Sequence, residues 1–171
     1  ASEIASCCTI GSFHDKALLQ KFAKSIDVAT YEFENIPNSA IAEIEKNVQI
    51  FPKKNALTIS QDRIQEKKFF RKLNLKTVEY EIVSSFENFS TAITKLKAPS
   101  ILKTCRDGYD GKGQLLITKD TKKDEVENHL LNGPCILESF LNFEKELSVI
   151  IARTESGDVV SFDPGENIHK S

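Results

Sequence analysis

The chain contains no methionine, not even at position 1, and among its 171 residues there are only seven glycines, three histidines and four cysteines. The cysteines, Cys7, Cys8, Cys105 and Cys135, include no C-x-x-C pair, and with His14, His129 and His169 scattered there is no zinc-ligand spacing. Reduced thiols of a cytoplasmic protein are the default, and Cys7-Cys8 reads as small apolar filling in a strand or loop. No apolar run approaches the length that crosses a bilayer, and the N-terminus is not a basic, apolar signal sequence. A formal net charge of −2 offers no electropositive surface for nucleic acid or membrane. The absent first methionine, and an end at Ile168-His169-Lys170-Ser171 without a closing helix or strand, give the expectation of a segment of a longer protein.

What is present is ordinary in bulk and uneven in detail. Hydrophobic residues make up 40% and charged residues 28%, which suits a globular chain with a buried core. Three of the seven glycines, Gly108, Gly111 and Gly113, fall within Leu102–Gln114, interleaved with Lys103, Arg106 and Lys112. Glycines let a backbone turn sharply and approach a ligand closely, and successive exposed N–H groups beside ammonium charges cradle phosphate oxygens. The same pattern also describes a solvated β-hairpin turn. It is not a Walker loop, because no G-x-x-x-x-G-K-[ST] occurs, nor a dinucleotide fingerprint, because it joins two strands and does not open a helix.

Periodicity sets the frame around this loop. Leu18, Leu19, Phe22, Ala23 and Ile26 recur at helical spacing; Asp27–Tyr31 reads as a strand, a helix follows Pro37 and Asn38 with Ile41 and Ile44 inward, and Gln49–Phe51 is a second strand. That alternation predicts the end of a parallel α/β layer, with Glu32, Glu34 and Asn35 just past the carboxyl end of its first strand, where ligands bind in such sheets; a solvated acidic turn is the alternative. Pro52–Asn55 marks a boundary. Beyond it, Gln61–Leu73 is a charged helix with Ile64, Phe69, Phe70 and Leu73 as its apolar positions, Lys76–Val83 a strand, and Ser85 the cap of a helix carrying Phe86, Phe89, Ile93 and Leu96. Ser100–Thr104 and Gln114–Ile117 flank the glycine loop as strands. Thr121 with Asp124 resembles a capping box for a helix that stops at Gly133-Pro134, after which Cys135–Phe140, Glu146–Arg153 and Val159–Phe162 read as strands with a turn at Ser156-Gly157-Asp158. The second region is therefore α+β with a mostly antiparallel sheet. In it Lys103 would offset phosphate charge, and Glu138 or Glu146 would hold base or ribose edges.

The motifs T-Y-E-F-E-N-I-P (30–37), Q-D-R-I-Q-E-K-K-F-F (61–70), L-K-T-x-x-x-G-Y-D-G-K-G-Q (102–114), E-L-S-V-I-I-A-R (146–153) and E-N-I-H (166–169) occur in this order. Together they resemble the N5-carboxyaminoimidazole ribonucleotide synthases, ATP-grasp enzymes of purine synthesis, over essentially the whole chain. The resemblance implies the C-terminal part of a Rossmann-like pre-ATP-grasp domain over 1–55, a linker helix and ATP-grasp lid over 56–153, and the start of the catalytic region over 154–171. It implies ATP and Mg2+ as cofactors, bicarbonate activated as carboxyphosphate, and carboxylation of the exocyclic amine of aminoimidazole ribonucleotide by a complete enzyme that is a cytoplasmic homodimer. Carried over residue by residue, Arg63 and Lys103 resemble ATP contacts. The run Gly108, Tyr109, Asp110, Gly111, Lys112, Gly113 and Gln114 resembles the loop closing over phosphates. Glu138, Ser139, Phe140 and Leu141 match the segment that meets adenine, Glu146 the carboxylate on the ribose, and His169 a further nucleotide-side residue. Glu32, with Glu34 as its alternative, and Tyr109 and Lys112 are similar to positions contacting the imidazole ribonucleotide.

Two positions depart from the family pattern: Cys105, where Arg is common, and Asp107, where a small or apolar residue is common. A carboxylate beside a phosphate loop is unhelpful unless it points away or pairs with Arg106. Nothing here matches the G-x-G-Q-L-G loop with which the family begins, and its magnesium-binding carboxylates and N-S-G-H-type segment are expected beyond Ser171, so no metal ligand or catalytic residue is assigned. The chain is then a portion of that ligase, with two alternatives: a nucleotide-binding module without catalysis, or another ATP-grasp enzyme such as a formate-dependent glycinamide ribonucleotide transformylase or a biotin carboxylase.

Overall fold

Asp15 starts the first regular element: its carboxylate accepts the amide of Leu18 at 3.0 Å, capping helix α1, Lys16–Ala23, as Asp does at helix N-termini. Leu19 and Ala23 bury one face of α1, and helix α2, Asn38–Ile44, buries Ala40, Ile41 and Ile44. The strands that follow these helices, β1 (Val28–Thr30) and β2 (Gln49–Phe51), pair in parallel with Ala29 opposite Ile50. A parallel pair requires a crossover, which α2 supplies, so the expected α/β layer is present. Its core joins Leu19, Ala23, Ala29, Ile41 and Ile50 to Leu57. Leu57 comes from a helix that the sequence pattern did not reveal, α3, Lys54–Ser60, which lacks a side-chain cap and buries that one residue alone. The computed structural model describes residues 3–108 and 112–168, and the chain divides into two compact units, 1–140 and 141–171. Cys7 and Cys8 are exposed, not filling.

The second half of the first unit is a four-stranded antiparallel sheet with helices on it. Asp62 caps helix α4, Arg63–Lys72, by accepting the amides of Ile64 at 3.0 Å and Gln65 at 3.3 Å. The expected apolar positions of α4 do not make a core: none of its residues is buried, and Phe69 is 38% and Leu73 52% exposed. The stripe that α4 turns to the sheet is cationic instead, with Arg63, Lys67 and Arg71 at four-residue spacing. After it come β3 (Tyr80–Val83) and α5 (Phe86–Leu96), capped by the Ser85 hydroxyl. The hairpin of β4 (Ser100–Thr104) and β5 (Gln114–Ile117) follows, then α6 (Lys123–Leu130) and β6 (Cys135–Ser139). The sheet order is β3-β6-β4-β5. Only half of the expected capping box of α6 forms, and one residue later: Glu125 accepts the amide of Lys122 at 3.1 Å, while the N-cap side chain accepts nothing and the Thr121 hydroxyl is engaged with the amide of Thr118 at 2.8 Å.

Side chains alternate across a sheet, and here the two faces differ in chemistry. Val83, Leu102, Cys135 and Leu137 point to one face, where Phe89 and Ala92 of α5 and Val126 of α6 complete the core. The registers of β3 with β6 and of β4 with β6 place Tyr80, Ile101, Lys103, Ile136 and Glu138 on the other face. Two of the five are charged, and α4 covers that face only in part.

The second unit is built differently from expectation. Glu146–Arg153 is not one strand but two: β7 (Glu146–Ser148) and β8 (Ile151–Arg153). β8 pairs with β9 (Val159–Ser161) across a turn that Gly157 makes at φ +97°. β7 pairs with β10 (Gly165–Asn167), a closing strand that the sequence reading missed. The two halves of the run thus belong to different two-stranded ladders, the second of which extends to Ile150, whose carbonyl accepts the Phe162 amide at 3.0 Å. Leu147, Ile150, Ile151, Val160 and Phe162 are all more than half exposed. Among the described residues no helix is long and apolar enough to cross a membrane.

Candidate nucleotide site

Glu138 is the centre of the open sheet face. It is only 6% exposed, and a bare carboxylate in that position would be costly to desolvate. Two ammonium groups compensate it, one on each oxygen: Lys103 Nζ lies 2.6 Å from Oε2 and Lys67 Nζ 2.9 Å from Oε1. Burial pushes the Glu138 carboxyl up, but the hydrogen bonds and charges of Lys103 and Lys67 outweigh it and hold the group below the usual glutamate range. The lysine expected to meet phosphates and the carboxylate expected to meet a base are thus joined to each other. Lys67 was not among the expected site residues. Its signal was available: it stands one helical turn after Arg63 and therefore on the same face of α4.

Three consecutive residues, Gln61, Asp62 and Arg63, tie this face to its surroundings. Gln61 Nε2 donates to the carbonyls of Ile36, at 2.7 Å, and Glu34, and its Oε1 accepts from Asn38 Nδ2 at 3.2 Å, so it clamps the loop after β1. Asp62, besides capping α4, accepts from Arg106 Nε at 3.2 Å. Arg63 donates its backbone amide to Cys105 O at 3.0 Å and its Nε to Thr104 O at 3.1 Å, holding the end of β4. Arg106 therefore pairs with Asp62, while Asp107 is exposed and sits at φ +60°, a left-handed conformation that Asp tolerates better than most residues. A cleft of roughly 200 Å³ opens here, lined by Glu34, Arg63, Glu66, Arg106 and Gly108 among others. Glu32 is exposed and does not line it. Burial pushes the Glu66 carboxyl up, against the opposing charges of Arg63 and Lys67.

The ends of the glycine loop are pinned by close approach. Gly113 has φ +71°, and a Cβ there would lie 2.4 Å from Thr104 Oγ1; its carbonyl accepts the Thr104 amide at 2.9 Å. A Cβ on Gly108 would meet Arg63 Nη2 at 3.1 Å and Lys112 O at 3.2 Å. Lys112 is exposed, and Gln114 stands opposite Lys103 in the ladder. Tyr109, Asp110 and Gly111 lie outside the described residues, as does His169. Cys105 is buried behind the loop, and burial, with the nearby Asp62 and Cys135, pushes its thiol up to about 12.

The remaining expected positions divide between the two units. Ser139 and Phe140 continue from Glu138, their amides donating to Glu79 O at 3.0 Å and Pro99 O at 3.3 Å. Leu141 is exposed and opens the second unit. In that unit Glu146 Oε1 accepts from Asn167 Nδ2 at 2.9 Å, and the same amide donates to Ser148 Oγ at 2.7 Å. The β7–β10 pairing thereby joins the E-L-S and E-N-I-H motifs. No three His, Cys, Asp or Glu side chains among the described residues converge as a metal-binding group. The first unit thus offers two lysines and an arginine beside a glycine hairpin, donors suited to a polyphosphate.

Comparison with known proteins agrees with this geometry. Residues 68–171 match the model of the ATP-grasp domain, and residues 1–61 that of the ribonucleotide synthetase preATP-grasp domain. The chain is 38% identical over 172 residues to the N5-carboxyaminoimidazole ribonucleotide synthase of Brucella melitensis, covering 99% of this chain and 48% of that protein. It is 35% identical over 167 residues to the synthase of Bacillus subtilis, covering 98% and 44%. The Staphylococcus aureus N5-carboxyaminoimidazole synthetase, solved in complex with ADP, superposes with a TM-score of 0.93 at 30% identity over 99% of this chain and 45% of that one. The chain spans less than half the length of these relatives, and over nearly all of its own length it is similar to N5-carboxyaminoimidazole ribonucleotide synthases: it belongs to the ATP-grasp family.

Proposed function

We propose that this chain is the nucleotide-closing portion of an N5-carboxyaminoimidazole ribonucleotide synthase. The observation that carries the reading is the convergence of Lys103 and Glu138 on one open sheet face at the foot of the glycine hairpin. ATP supplies its terminal phosphoryl group to bicarbonate, giving carboxyphosphate and ADP. The exocyclic amine of 5-aminoimidazole ribonucleotide then takes the carboxyl group, and phosphate leaves. Positioning and charge neutralisation do most of the work in phosphoryl transfer, and that is what these residues offer. Lys103 and Arg63 neutralise phosphate, and the N–H groups of 108–114 close over it. Carried over by motif, residues 138–141 are assigned to the adenine, Glu146 to the ribose and His169 to a further nucleotide contact. By motif, Glu32, with Glu34 as its alternative, and Tyr109 and Lys112 are assigned to the imidazole ribonucleotide; of the two acidic residues, Glu34 lines the cleft with Arg63 and Gly108.

The reading divides the chain at 55 and 153, with a pre-ATP-grasp segment, a linker helix plus lid, and the start of the catalytic region. It places the complete enzyme in the cytoplasm as a homodimer. Magnesium accompanies ATP in that enzyme; among the described residues no three His, Cys, Asp or Glu side chains converge to hold it.

Titration calorimetry of ADP into the chain and into Lys103→Ala tests the assignment. Losing a charge-assisted phosphate contact should weaken binding by about 1.5–3 kcal/mol, and equal affinity of the two would remove Lys103 from the site. A second reading is a binding module without catalysis. Mass-spectrometric detection of carboxylated aminoimidazole ribonucleotide made from ATP and bicarbonate by the chain alone would sink it.

A further inference from the structure

We propose that Lys67 is a positioning residue of the nucleotide site: it holds Glu138 in place while Lys103 exchanges from that carboxylate to the phosphates of the bound nucleotide. This rests on the nucleotide-site reading above and adds to it a residue with a separate task. The two lysines are not equivalent. Each occupies its own oxygen of Glu138, Lys103 on Oε2 and Lys67 on Oε1, so one can leave without disturbing the other. Lys103 stands next to Thr104, whose amide is bonded to Gly113 at the end of the glycine hairpin. Lys67 stands on α4 with its ammonium 6.0 Å from the ring of Tyr80, the residue paired with Glu138 across β3 and β6. Asp62 and Arg63 anchor the start of that helix to the glycine-loop segment and to β4. Its ammonium is therefore held where Glu138 is.

The reason two cations are needed is the burial of Glu138. The ionisable groups that face it are Lys67 and Glu66 on α4, Lys103 on β4 and Tyr80 on β3. Glu66 adds negative charge, and the other cations of the α4 stripe are engaged elsewhere, Arg63 with Thr104 O and Arg71 over the Tyr80 ring, so the two ammonium groups are the cations in contact with the carboxylate. If nucleotide binding draws Lys103 away, Lys67 is left as the single counter-charge. Without Lys67 the carboxylate would have to take up a proton as the nucleotide binds, since burial disfavours its charged form. Binding that takes up a proton tightens as pH falls. Removal of Lys67 should therefore add a proton uptake absent from the wild type, over and above the titration of the nucleotide's own terminal phosphate at about pH 6.

The experiment is calorimetric titration of ADP into the 171-residue chain and its Lys67→Met and Lys67→Arg variants, from pH 6 to pH 8.5, in two buffers of different ionisation enthalpy. Lys67→Met should bind on the order of tenfold more weakly at the alkaline end, recover toward pH 6, and take up a proton on binding, a change of one pKa unit being tenfold; Lys67→Arg should follow the wild type. Wild-type affinity in Lys67→Met with no proton uptake would overturn the role of Lys67 while leaving the nucleotide site standing. Failure of the wild-type chain to bind ADP would overturn both. Should Lys67→Met not fold, as judged by circular dichroism, the Glu138 carboxyl carbon of the wild type is followed by NMR at pH 7. Persistence of its ionised shift on addition of ADP supports Lys67 as the remaining counter-charge, and a move to the protonated shift overturns it.

Discussion

Replacing Gly113 with alanine should destabilise the first unit by an amount that a second substitution partly restores. At φ +71°, an L-residue costs about 1–2 kcal/mol relative to glycine. The added Cβ would also stand 2.4 Å from Thr104 Oγ1 and 3.4 Å from its Cγ2. Thr104 is buried on the end of β4, and its amide already bonds to the Gly113 carbonyl at 2.9 Å, so neither partner can retreat freely. Relieving such an overpacked contact costs about 1–3 kcal/mol. Gly113→Ala should thus lose about 2–5 kcal/mol in all, the sum of the two effects. Thr104→Ala removes both offending atoms and should return the steric part but not the backbone part. In a double-mutant cycle the two changes should therefore couple favourably by about 1–3 kcal/mol. The chain has no tryptophan, so urea unfolding followed by far-ultraviolet circular dichroism is the appropriate assay. A loss below about 0.5 kcal/mol, the scale of an ordinary surface change, would refute the close approach. Strict additivity with Thr104→Ala would refute the assignment of the clash.

Glu138→Gln leaves Lys67 and Lys103 facing one another without a carboxylate, and should cost about 3 kcal/mol at pH 7, as breaking one side of a buried ion pair does. Because the folded carboxyl titrates below its ordinary value, its stabilisation is present above the unfolded glutamate pKa and is lost as pH falls through the folded one. The gap between wild type and variant in urea titrations should close in acid, and a gap constant down to pH 2 would contradict the pairing. The buried thiols act in the opposite pH range. Cys105 is pushed up to about 12 and Cys135 to about 11, so the stability they confer is full below the ordinary thiol pKa and lost as pH rises toward those values. Unfolding free energies should fall above about pH 9 and fall less in a Cys105→Ala/Cys135→Ala variant, while iodoacetamide should label exposed Cys7 and Cys8 first. Equal labelling of all four in the native chain would contradict this burial. Gln61→Ala should release the loop after β1, costing about 1–2 kcal/mol and opening the amides near Glu34–Ile36 to hydrogen exchange. Unchanged protection there would remove Gln61 as the clamp.

Much of the local structure could be read from sequence because local rules decide it. Ser100–Thr104 and Gln114–Ile117 form the expected hairpin, since β-rich runs flanking glycines have few other outcomes. Ser85 caps its helix as written, and Ile41 and Ile44 point inward as their spacing requires. The misreadings have equally physical origins. α3 is too short and too sparsely apolar for a period to show, and β10 exists only because β7 is there to pair with it. The run 146–153 has an unbroken apolar stretch from Val149 to Ala152, and nothing within it says that its two halves will join different partners. Phe69 and Leu73 looked like a helix core, yet α4 turns its arginines and lysine to the sheet.

By itself the sequence determined the glycine hairpin with its cations, the alternation of the strands and the order of motifs that the ATP-grasp relatives share. Those depend on backbone freedom, side-chain period and chain order, all of which are local. Only the tertiary structure decided which charges meet. The chain has 23 lysines and arginines and 25 acidic residues, and although spacing puts Lys67 on the face of Arg63, it does not name Lys67 and Lys103 as the partners of Glu138. That choice follows from strand register and from the seating of α4 over the sheet, which bring groups 35 and 71 residues apart within 3 Å of a single buried carboxylate.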